Sequence, residues 1–331
     1  MSAIKPGYTR PLDLRHGRVD VSHGSGGRAM VQLIDQIFLS AFDNPALAAR
    51  DDHAVLAAPP ELALGGRLVM ATDSHVVSPL FFPGGDIGCL SVHGTVNDVA
   101  MAGARPLWLS AGFILEEGFA LAELHRIAGS MAQAAAEAGV PIVTGDTKVV
   151  QAGKGDGVFI NTTGVGVTRP GVHISGSLAQ PGDAILVSGT MGDHGVAVMS
   201  VREGLRFGTT LLSDTRSLHT LVAAMLDATP DIHVLRDPTR GGLGATLNEI
   251  ASQSGVGMRL METAIPVRGE VRAACELLGL DPLYVANEAS CWRSVRQTEP
   301  TPCWPRCVPI RTDVTPRASA RWWTTPTISC R

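Results

Sequence analysis

Aspartates stand at four places along the first half of the chain where the pattern changes from apolar to polar. They lie in the stretches DDHAVL, ATDS, NDVA and TGDTK: Asp51 and Asp52, Asp73, Asp98 beside Asn97, and Asp146. We place each at or just beyond a predicted strand end or helix start. A lone aspartate there is usually a cap or turn residue. Four such aspartates at one sheet edge would repel one another unless a cation lay between them, so the sequence predicts Mg²⁺ and nucleotide phosphates.

A glycine loop and a lysine are candidates for contacting such phosphates. The loop HGSGG directly precedes a predicted helix and could lay backbone N–H groups around a phosphate, although most such loops are only tight turns. Lys148 lies two residues past Asp146, on the same face of an extended strand. It could touch a phosphate, or act as a base if desolvation lowers its pKa. The alternative is a solvated strand end.

Three further motifs lie in the second half of the chain. GDHG and DPTRGG are glycine loops suited to anions, and Glu288 closes YVANE at a predicted strand end, where a carboxylate could act as a base. Taken singly, each is more often capping or turn chemistry. His93 and His194 have no metal-ligand spacing, so we expect satisfied core or loop histidines.

The elements that must position these residues alternate between strands and helices. RLVMATDS, RPLWLSAGFIL, VPIVTGDTKVV and GVFINTTGVGVT read as strands, and ALAELHRIAGSMAQAAAEAG reads as a helix that ends at Gly139. The turn-rich stretch RPGVHISGSLAQPGD marks a boundary, after which strand, glycine loop and helix recur. We therefore expect an α/β fold of two domains.

Composition restricts the class further. The chain has 331 residues, 45% hydrophobic and 5% aromatic, with 37 glycines and a net charge of −4. Seven arginines oppose two acids in residues 289–331, so residues 1–288 carry −9, which argues against general nucleic-acid binding. No signal-like or membrane-spanning stretch is evident, and Cys89 and Cys275 read as reduced thiols, so we expect a cytoplasmic protein without a membrane segment.

The pattern is lost after Glu288. Four of the five tryptophans and four of the six cysteines follow it, without a period, and lysine and histidine are absent. Out-of-frame translation of a GC-rich gene would give such a segment, and we interpret it so. We expect residues 289–331 to be an aberrant, disordered tail that cannot easily complete a sheet.

Ten stretches together, in order and at fitting distances from about His23 to Glu288, resemble one known family. They are HGSGG, ATDS, PLFFPGGDIG, GTVNDVAMAGARP, GFILEEG, VTGDTKVV, FINTTGVG, VSGTMGDHG, LRDPTRGG and DPLYVANE. The family is that of the HypE hydrogenase maturation factors. It belongs to the ATP-using superfamily of aminoimidazole ribonucleotide synthetase, selenophosphate synthetase and thiamine-monophosphate kinase.

The resemblance implies an aminoimidazole ribonucleotide synthetase-like fold that pairs as a homodimer, with the N-terminal sheets joined into a barrel. We divide the chain into an arm (1–22), an ATP-binding and dimerisation domain (23–168), an incomplete C-terminal αβ domain (169–288) and the tail (289–331). In the family, HypF places a carbamoyl group on a C-terminal cysteine, and ATP with Mg²⁺ drives its dehydration to a thiocyanate. The cyano group then passes to iron on the HypC–HypD complex and becomes a ligand of the [NiFe] centre.

The resemblance also implies roles for individual residues. Carried over position by position, the metal ligands are Asp52, Asp73, Asp98 and Asp146. The nucleotide contacts are Gly24, Gly26, Gly27, Asn97, Asp98 and Asp146, and the catalytic pair is Lys148 and Glu288. The family ends in Pro-Arg-Ile-Cys, whereas this chain stops at ISCR, so we do not assign the acceptor role to Cys330.

Two other readings stay open. A phosphotransferase of the selenophosphate synthetase or thiamine-monophosphate kinase type is one, although GFILEEG and TGDTKVV favour HypE and no Cys precedes Cys89. The other is a catalytically impaired variant that only binds nucleotide and partners because its tail is altered.

Overall fold

A computed structural model describes residues 11–51, 53–204, 211–229 and 231–288, together with the backbone of four short strands after Glu288. Two α/β halves follow one another along the chain. The N-terminal half starts with a 3₁₀ turn (Val21–Gly24) and a helical run in which a π-helical segment (Ile34–Leu39) joins α1 (Gly27–Leu33) to α2 (Ser40–Phe42). After it come α3 (Pro45–Ala48), a 3₁₀ turn (Pro60–Leu64), β1 (Leu68–His75), β2 (Phe81–Phe82), β3 (Gly85–Asp86), α4 (Ile87–Met101), β4 (Ala104–Glu116), α5 (Leu121–Ala138), β5 (Ile142–Val150) and β6 (Val158–Thr168).

The N-terminal sheet has the strand order β1-β6-β4-β5. β4 and β5 are parallel and the other pairs are antiparallel. α4 and α5 cover one face of the sheet, and their buried side chains join those of alternate strand residues in one core. On the other face Met70 is 73% exposed and Ile114 45% exposed. This face is uncovered in the single chain.

α4 lies unusually close to the sheet because glycines replace larger residues on β6. A Cβ added at Gly164 would lie 2.9 Å from side-chain carbons of Thr95 and Val99. α5 ends at Gly139, as the sequence predicts. Gly139 adopts the left-handed conformation (φ +66°), and its N–H donates to carbonyls of the last helical turn. The β6 glycines therefore set how closely α4 approaches the sheet, and Gly139 sets where α5 ends.

The C-terminal half forms a second, smaller αβ unit. Its elements are β7 (Asp183–Val187), α6 (Asp193–Arg202), α7 (His219–Ala228), β8 (Ile232–Arg236), α8 (Gly242–Ser254), β9 (Val256–Leu260), a 3₁₀ turn (Glu262–Ala264), α9 (Gly269–Leu278) and a 3₁₀ turn (Pro282–Tyr284). Its core packs α8 against β7, β8 and β9. The predicted two-domain α/β class is confirmed.

The segment after Glu288 differs from the expectation. The backbone of β10 (Trp292–Arg296) lies between β7 and β8 and pairs antiparallel with both. β11 (Val308–Ile310) pairs with β7, and β12 (Thr312–Pro316) and β13 (Ser329–Cys330) pair with β9. The expectation that this segment cannot complete a sheet is wrong for these stretches, because backbone ladders accept any extended chain and unpaired strand edges favour one.

The two halves are held together by a small apolar core. Ala100 and Met101, at the end of α4, contact Leu218 and Val222 around the start of α7 and Leu235 on β8. α4 therefore has a face on each domain, which explains why almost all of it is buried. Within the described ranges, no helix is both long and apolar enough to cross a bilayer.

We expect Gly164→Ala to destabilise the protein by about 1–3 kcal/mol, because the new methyl group would push α4 off β6. Gly129→Ala is the matched control: this site in α5 has no atom within 4 Å of an added Cβ, so the change should stabilise the helix by about 0.5–1 kcal/mol. Urea unfolding measures both. A Gly164→Ala variant as stable as the unaltered protein would contradict the close packing of α4.

Candidate active site

Five carboxyl groups gather where α4 meets the C-terminal half. β1 supplies Asp73 and α4 supplies Asp98, while Asp214 lies before α7, Asp237 follows β8 and Glu288 follows the last 3₁₀ turn. The charges of Asp237 and Asp73 act on Asp98, and those of all four aspartates act on Glu288. We call these five residues the carboxylate half-site.

Asp98 shows the effect of this crowding. Burial first, and then the charges of Asp237 and Asp73, raise the pKa of its carboxyl group to about 7. The structure places Asp98 in the fourth turn of α4, near the end of the helix, and not at a helix start as we expected. The side chain reaches the site because α4 runs between the two domains.

Glu288 lies deep in the half-site, with its side chain 14% exposed. Burial and the four neighbouring aspartates raise its pKa well above the ordinary range. His194 Nε2 lies 3.9 Å from its Oε1 atom. Burial lowers the pKa of His194 to about 4, so this imidazole is neutral near pH 7 and brings no positive charge to Glu288. The environment therefore favours a protonated glutamic acid.

Positive charge near the carboxylate half-site comes from Arg236, whose charge acts on Asp98 and Asp237, and from Arg240. The Nη2 atom of Arg240 lies 3.4 Å from Asp73 Oδ1, and its side chain is 88% exposed. His75 Nε2 lies 3.8 Å from Asp73 Oδ2, but burial lowers the pKa of this imidazole. Two exposed guanidinium groups cannot balance five acids, so the half-site suits a further cation.

A 580 Å³ cavity opens beside this half-site. The glycine loop Ser188–Asp193 lines one side, and residues 212–216 with Arg268 line the other. Asp214 belongs to this lining and also accepts a hydrogen bond from the backbone N–H of Glu288 (3.2 Å). The cavity is therefore connected to Glu288 through Asp214.

A second group of predicted residues lies around β5: Asp146, Lys148, Gly24, Gly26 and Gly27. We call it the loop half-site. Lys148 Nζ donates to Asp146 Oδ1 over 2.7 Å, and this bond lowers the pKa of Asp146. Gly24 packs against β5, since a Cβ there would lie 2.7 Å from the Val149 nitrogen. Gly26 (φ +82°) and Gly27 (φ +75°) turn the chain into α1. An apolar cavity of 190 Å³ between the helical run and β5 ends at Asp146.

The two half-sites do not meet within one chain. Asp146 shares a sheet row with Gly112, Asn161 and Ser74 on the uncovered face, whereas Asp73 points to the helix-covered side. Three strand spacings of about 4.8 Å separate β1 from β5, or about 14 Å. The Lys148 side chain is 62% exposed, so the desolvation that a lysine base needs is missing in the single chain.

Magnesium fits the carboxylate half-site on chemical grounds. Among the described residues, no three His, Cys, Asp or Glu side chains are close enough to hold an ion unaided. Mg²⁺ needs less, because one or two carboxylates together with phosphates and water usually hold it. Asp73, Asp98 and Asp237, whose mutual repulsion is relieved by a cation, are the residues that would do so.

The predicted site residues thus have different outcomes. Asp73, Asp98 and Glu288 come together, and Asp146, Lys148 and the three glycines lie in the other half-site. Asp52 lies outside the described residues. Asn97 is fully buried and bonds only to protein groups. His93 and His194 are buried and bonded to serines, as expected.

Sequence reasoning missed two carboxylates and an arginine of the site. Asp237 and Arg240 lie in DPTRGG, which was recognised as an anion loop but not connected to the aspartates of the first half. Asp214 lies in an aperiodic stretch, LLSDTRS, which gave no signal.

The pH dependence of the folding stability should reveal the raised pKa of Asp98. Between about pH 4 and 7 the unfolded chain has lost the Asp98 proton while the folded protein keeps it, so this residue lowers stability as pH rises. We expect Asp98→Asn to gain stability relative to the unaltered protein across that window, in thermal melts without nucleotide. Asp156→Asn, at an exposed loop, is the control. A difference that does not change with pH would contradict the raised pKa.

Comparison with known proteins identifies the family of both halves of the chain. Residues 50–168 match the N-terminal domain, and residues 180–296 the C-terminal domain, of AIR synthase related proteins. Carbamoyl dehydratase HypE of Cupriavidus necator is 67% identical over 285 residues, 86% of this chain and 80% of that protein. A crystal structure of HypE in complex with ATP superposes with a TM-score of 0.85 at 50% identity, covering 89% of each chain.

A chain from the crystal structure of a HypE–HypF complex is also similar. It has a TM-score of 0.72 and 46% identity, covering 86% of this chain and 93% of the matched one. Two matched domains and this level of identity leave no doubt about descent: the chain belongs to the HypE family of carbamoyl dehydratases among the AIR synthase related proteins.

Proposed function

We propose that the chain uses ATP to dehydrate a carbamoyl group carried on a cysteine sulfur, giving the thiocyanate from which the cyanide ligand of [NiFe] hydrogenase is made. The observation that carries this proposal is the buried Glu288 carboxyl group, which lies beside neutral His194, forms no ion pair with an arginine or lysine of the described ranges, and is close to aspartates suited to a nucleotide–metal complex. Relatives bear the name carbamoyl dehydratase, and one was crystallised with ATP.

The chemistry balances with one ATP. The carbamoyl oxygen attacks the γ-phosphorus, the bond from that phosphorus to the β,γ-bridging oxygen breaks, and ADP leaves. The former carbonyl oxygen is now a phosphate ester and can depart from carbon as inorganic phosphate. The two N–H protons leave in turn, one to a base and one to the departing phosphate, which becomes HPO₄²⁻, and S–C(O)NH₂ becomes S–C≡N.

Glu288 suits the role of that base. Its raised pKa makes the ionised form a stronger base than an exposed glutamate, and its burial excludes water from the reacting group. The neutral His194 nearby leaves this basicity undiminished. The cavity beside Asp214 gives the carbamoyl-bearing segment room to reach Glu288.

A magnesium ion held by Asp73, Asp98 and Asp237 would neutralise phosphate charge. Asp98 must lose its proton before it can ligate, and Arg240 is placed to move from Asp73 to a phosphate oxygen.

A homodimer would join the two half-sites. We propose that the uncovered sheet faces of two chains meet, so that Asp146, Lys148 and the glycine loop of one chain complete the carboxylate half-site of the other. The exposed apolar side chains on that face, Met70 and Ile114, and the free edge of β1 support this pairing. Burial in the interface would also desolvate Lys148.

HypF as carbamoyl donor and the HypC–HypD complex as cyanide acceptor are the partners we propose. The relative solved with HypF supports the first. The second rests on the family resemblance.

The phosphotransferase alternative has no comparable support, since the identity to HypE proteins spans both domains. The impaired-variant alternative differs from the proposal only in the tail. A synthetic peptide ending in Pro-Arg-Ile-Cys with an S-carbamoyl group supplies the substrate separately and removes that difference.

We expect Glu288→Gln to lower the rate of thiocyanate formation from this peptide by about 10²- to 10⁴-fold, because the amide cannot accept a proton. The KM for ATP should stay nearly unchanged. Product mass and released ADP measure the reaction, and exposed Glu203→Gln is the control. Full activity of Glu288→Gln would exclude this residue as the base.

Mixed dimers test the shared site. Lys148→Ala and Glu288→Gln each inactivate their own homodimers, but a mixed dimer keeps one unaltered site if each site takes Lys148 from one chain and Glu288 from the other. Random reassortment should restore about a quarter of the activity of the unaltered protein, given two-fold symmetry. If both residues served from the same chain, mixing would restore nothing.

A further inference from the structure

The side-chain amide of Asn97, on α4, forms hydrogen bonds within the protein through its nitrogen and its oxygen. The residue is 0% exposed. Its Nδ2 group donates to the backbone carbonyls of Arg216 and Glu288, each over 3.0 Å, and its Oδ1 atom accepts from the backbone N–H of Leu218 over 2.7 Å. Both N–H donors and the carbonyl acceptor therefore have protein partners, and none is left to face a nucleotide.

These bonds fix the peptide groups on both sides of Glu288. Its carbonyl accepts from Asn97, and its N–H donates to Asp214 Oδ1 (3.2 Å). Asp214 belongs to the same segment, before α7, that Asn97 holds through Arg216 and Leu218. Asn97, Glu288 and this segment thus form a closed circuit of hydrogen bonds.

A second contact ties the same segment to α4. His93, one helical turn before Asn97, lies with its Nδ1 atom 2.8 Å from Ser217 Oγ. Burial lowers the pKa of His93 to about 4, so this is a neutral hydrogen bond. The segment is therefore attached to α4 at two levels, and its position relative to Asp98 is set by a rigid helix.

We propose that Asn97 is a positioning residue, which holds the Glu288 backbone at a fixed place relative to Asp98, and not a nucleotide contact. This inference rests on the proposed function, since it assigns Asn97 to the geometry of the base. It replaces the role that the family resemblance suggested for this residue.

The chemistry of the amide explains why asparagine is needed. Aspartate has the same shape but would turn carboxylate oxygens toward two buried carbonyls, and alanine would leave two carbonyls and one N–H without partners. Either change frees Glu288 to shift, and a misplacement of about 1 Å can lower a catalytic rate by about 10²-fold. Contacts to ATP would be unaffected.

Kinetics separate positioning from nucleotide binding. With the S-carbamoyl peptide as substrate, we expect Asn97→Asp and Asn97→Ala to lower kcat by about 10- to 100-fold while the KM for ATP stays within about twofold. Asn248→Ala is the control: this asparagine on α8 donates only to Gly244 O within its own helix, and its loss should leave kcat unchanged. A raised KM with unchanged kcat, or no effect on either, would overturn the proposal.

Amide hydrogen exchange gives a readout that needs no activity. In the folded, full-length protein without nucleotide, residues 285–288 should exchange faster in Asn97→Ala than in Asn248→Ala or the unaltered protein. If Asn97→Ala does not fold, Ser217→Ala provides the milder test, because it removes only the His93 bond and should speed exchange around residues 213–218. Unchanged exchange in the folded variants would overturn the proposal.

The two proposals fail differently. An unaltered protein that does not act on the peptide contradicts the proposed function, while the exchange experiment still decides whether Asn97 holds Glu288.

Discussion

Mutual repulsion among buried carboxyl groups is the constraint on which the site depends. Burial and four neighbouring aspartates raise the pKa of Glu288, and the same surroundings raise that of Asp98. Hydrogen bonds from Asn97 to the Glu288 carbonyl and from the Glu288 N–H to Asp214 hold the Glu288 backbone in place despite this repulsion. A site kept in this condition is prepared for a cation and phosphates, which would relieve the repulsion and let Glu288 ionise with its substrate in place.

α4 is the helix that places the carboxyl groups of Asp98 and Glu288 close together. Glycines on β6 let it lie directly on the N-terminal sheet, and Ala100 and Met101 pack into the core shared with the C-terminal half. Asp98 and Asn97 are neighbours in the sequence but have opposite tasks: one side chain enters the carboxylate half-site, and the other ties Glu288 to the helix. The distance between Asp98 and the Glu288 backbone is therefore set by one helix.

The sequence predicts much of this fold, because periodicity and glycine caps act locally. The strand carrying Asp73, the helix ended by Gly139 and the glycine turn before α1 are where the pattern places them. The convergence of Asp214 and Asp237 on Glu288 could not be predicted, since it depends on how distant segments of the chain pack together. The separation of Asp146 from Asp73 depends on strand order, which periodicity does not reveal. The strand Trp292–Arg296 was missed because backbone pairing needs no sequence pattern.

Proton release on binding shows whether Asp98 is protonated in the free site and ionises when a metal–nucleotide complex enters it. Calorimetric titration of Mg·ATP into the protein near pH 6, in two buffers with different ionisation heats, counts the protons that leave the site. We expect a net release of protons, because Asp98 is protonated at that pH and must ionise to hold the metal–nucleotide complex. Binding without proton release, or with heats independent of Asp98→Asn, would contradict this expectation.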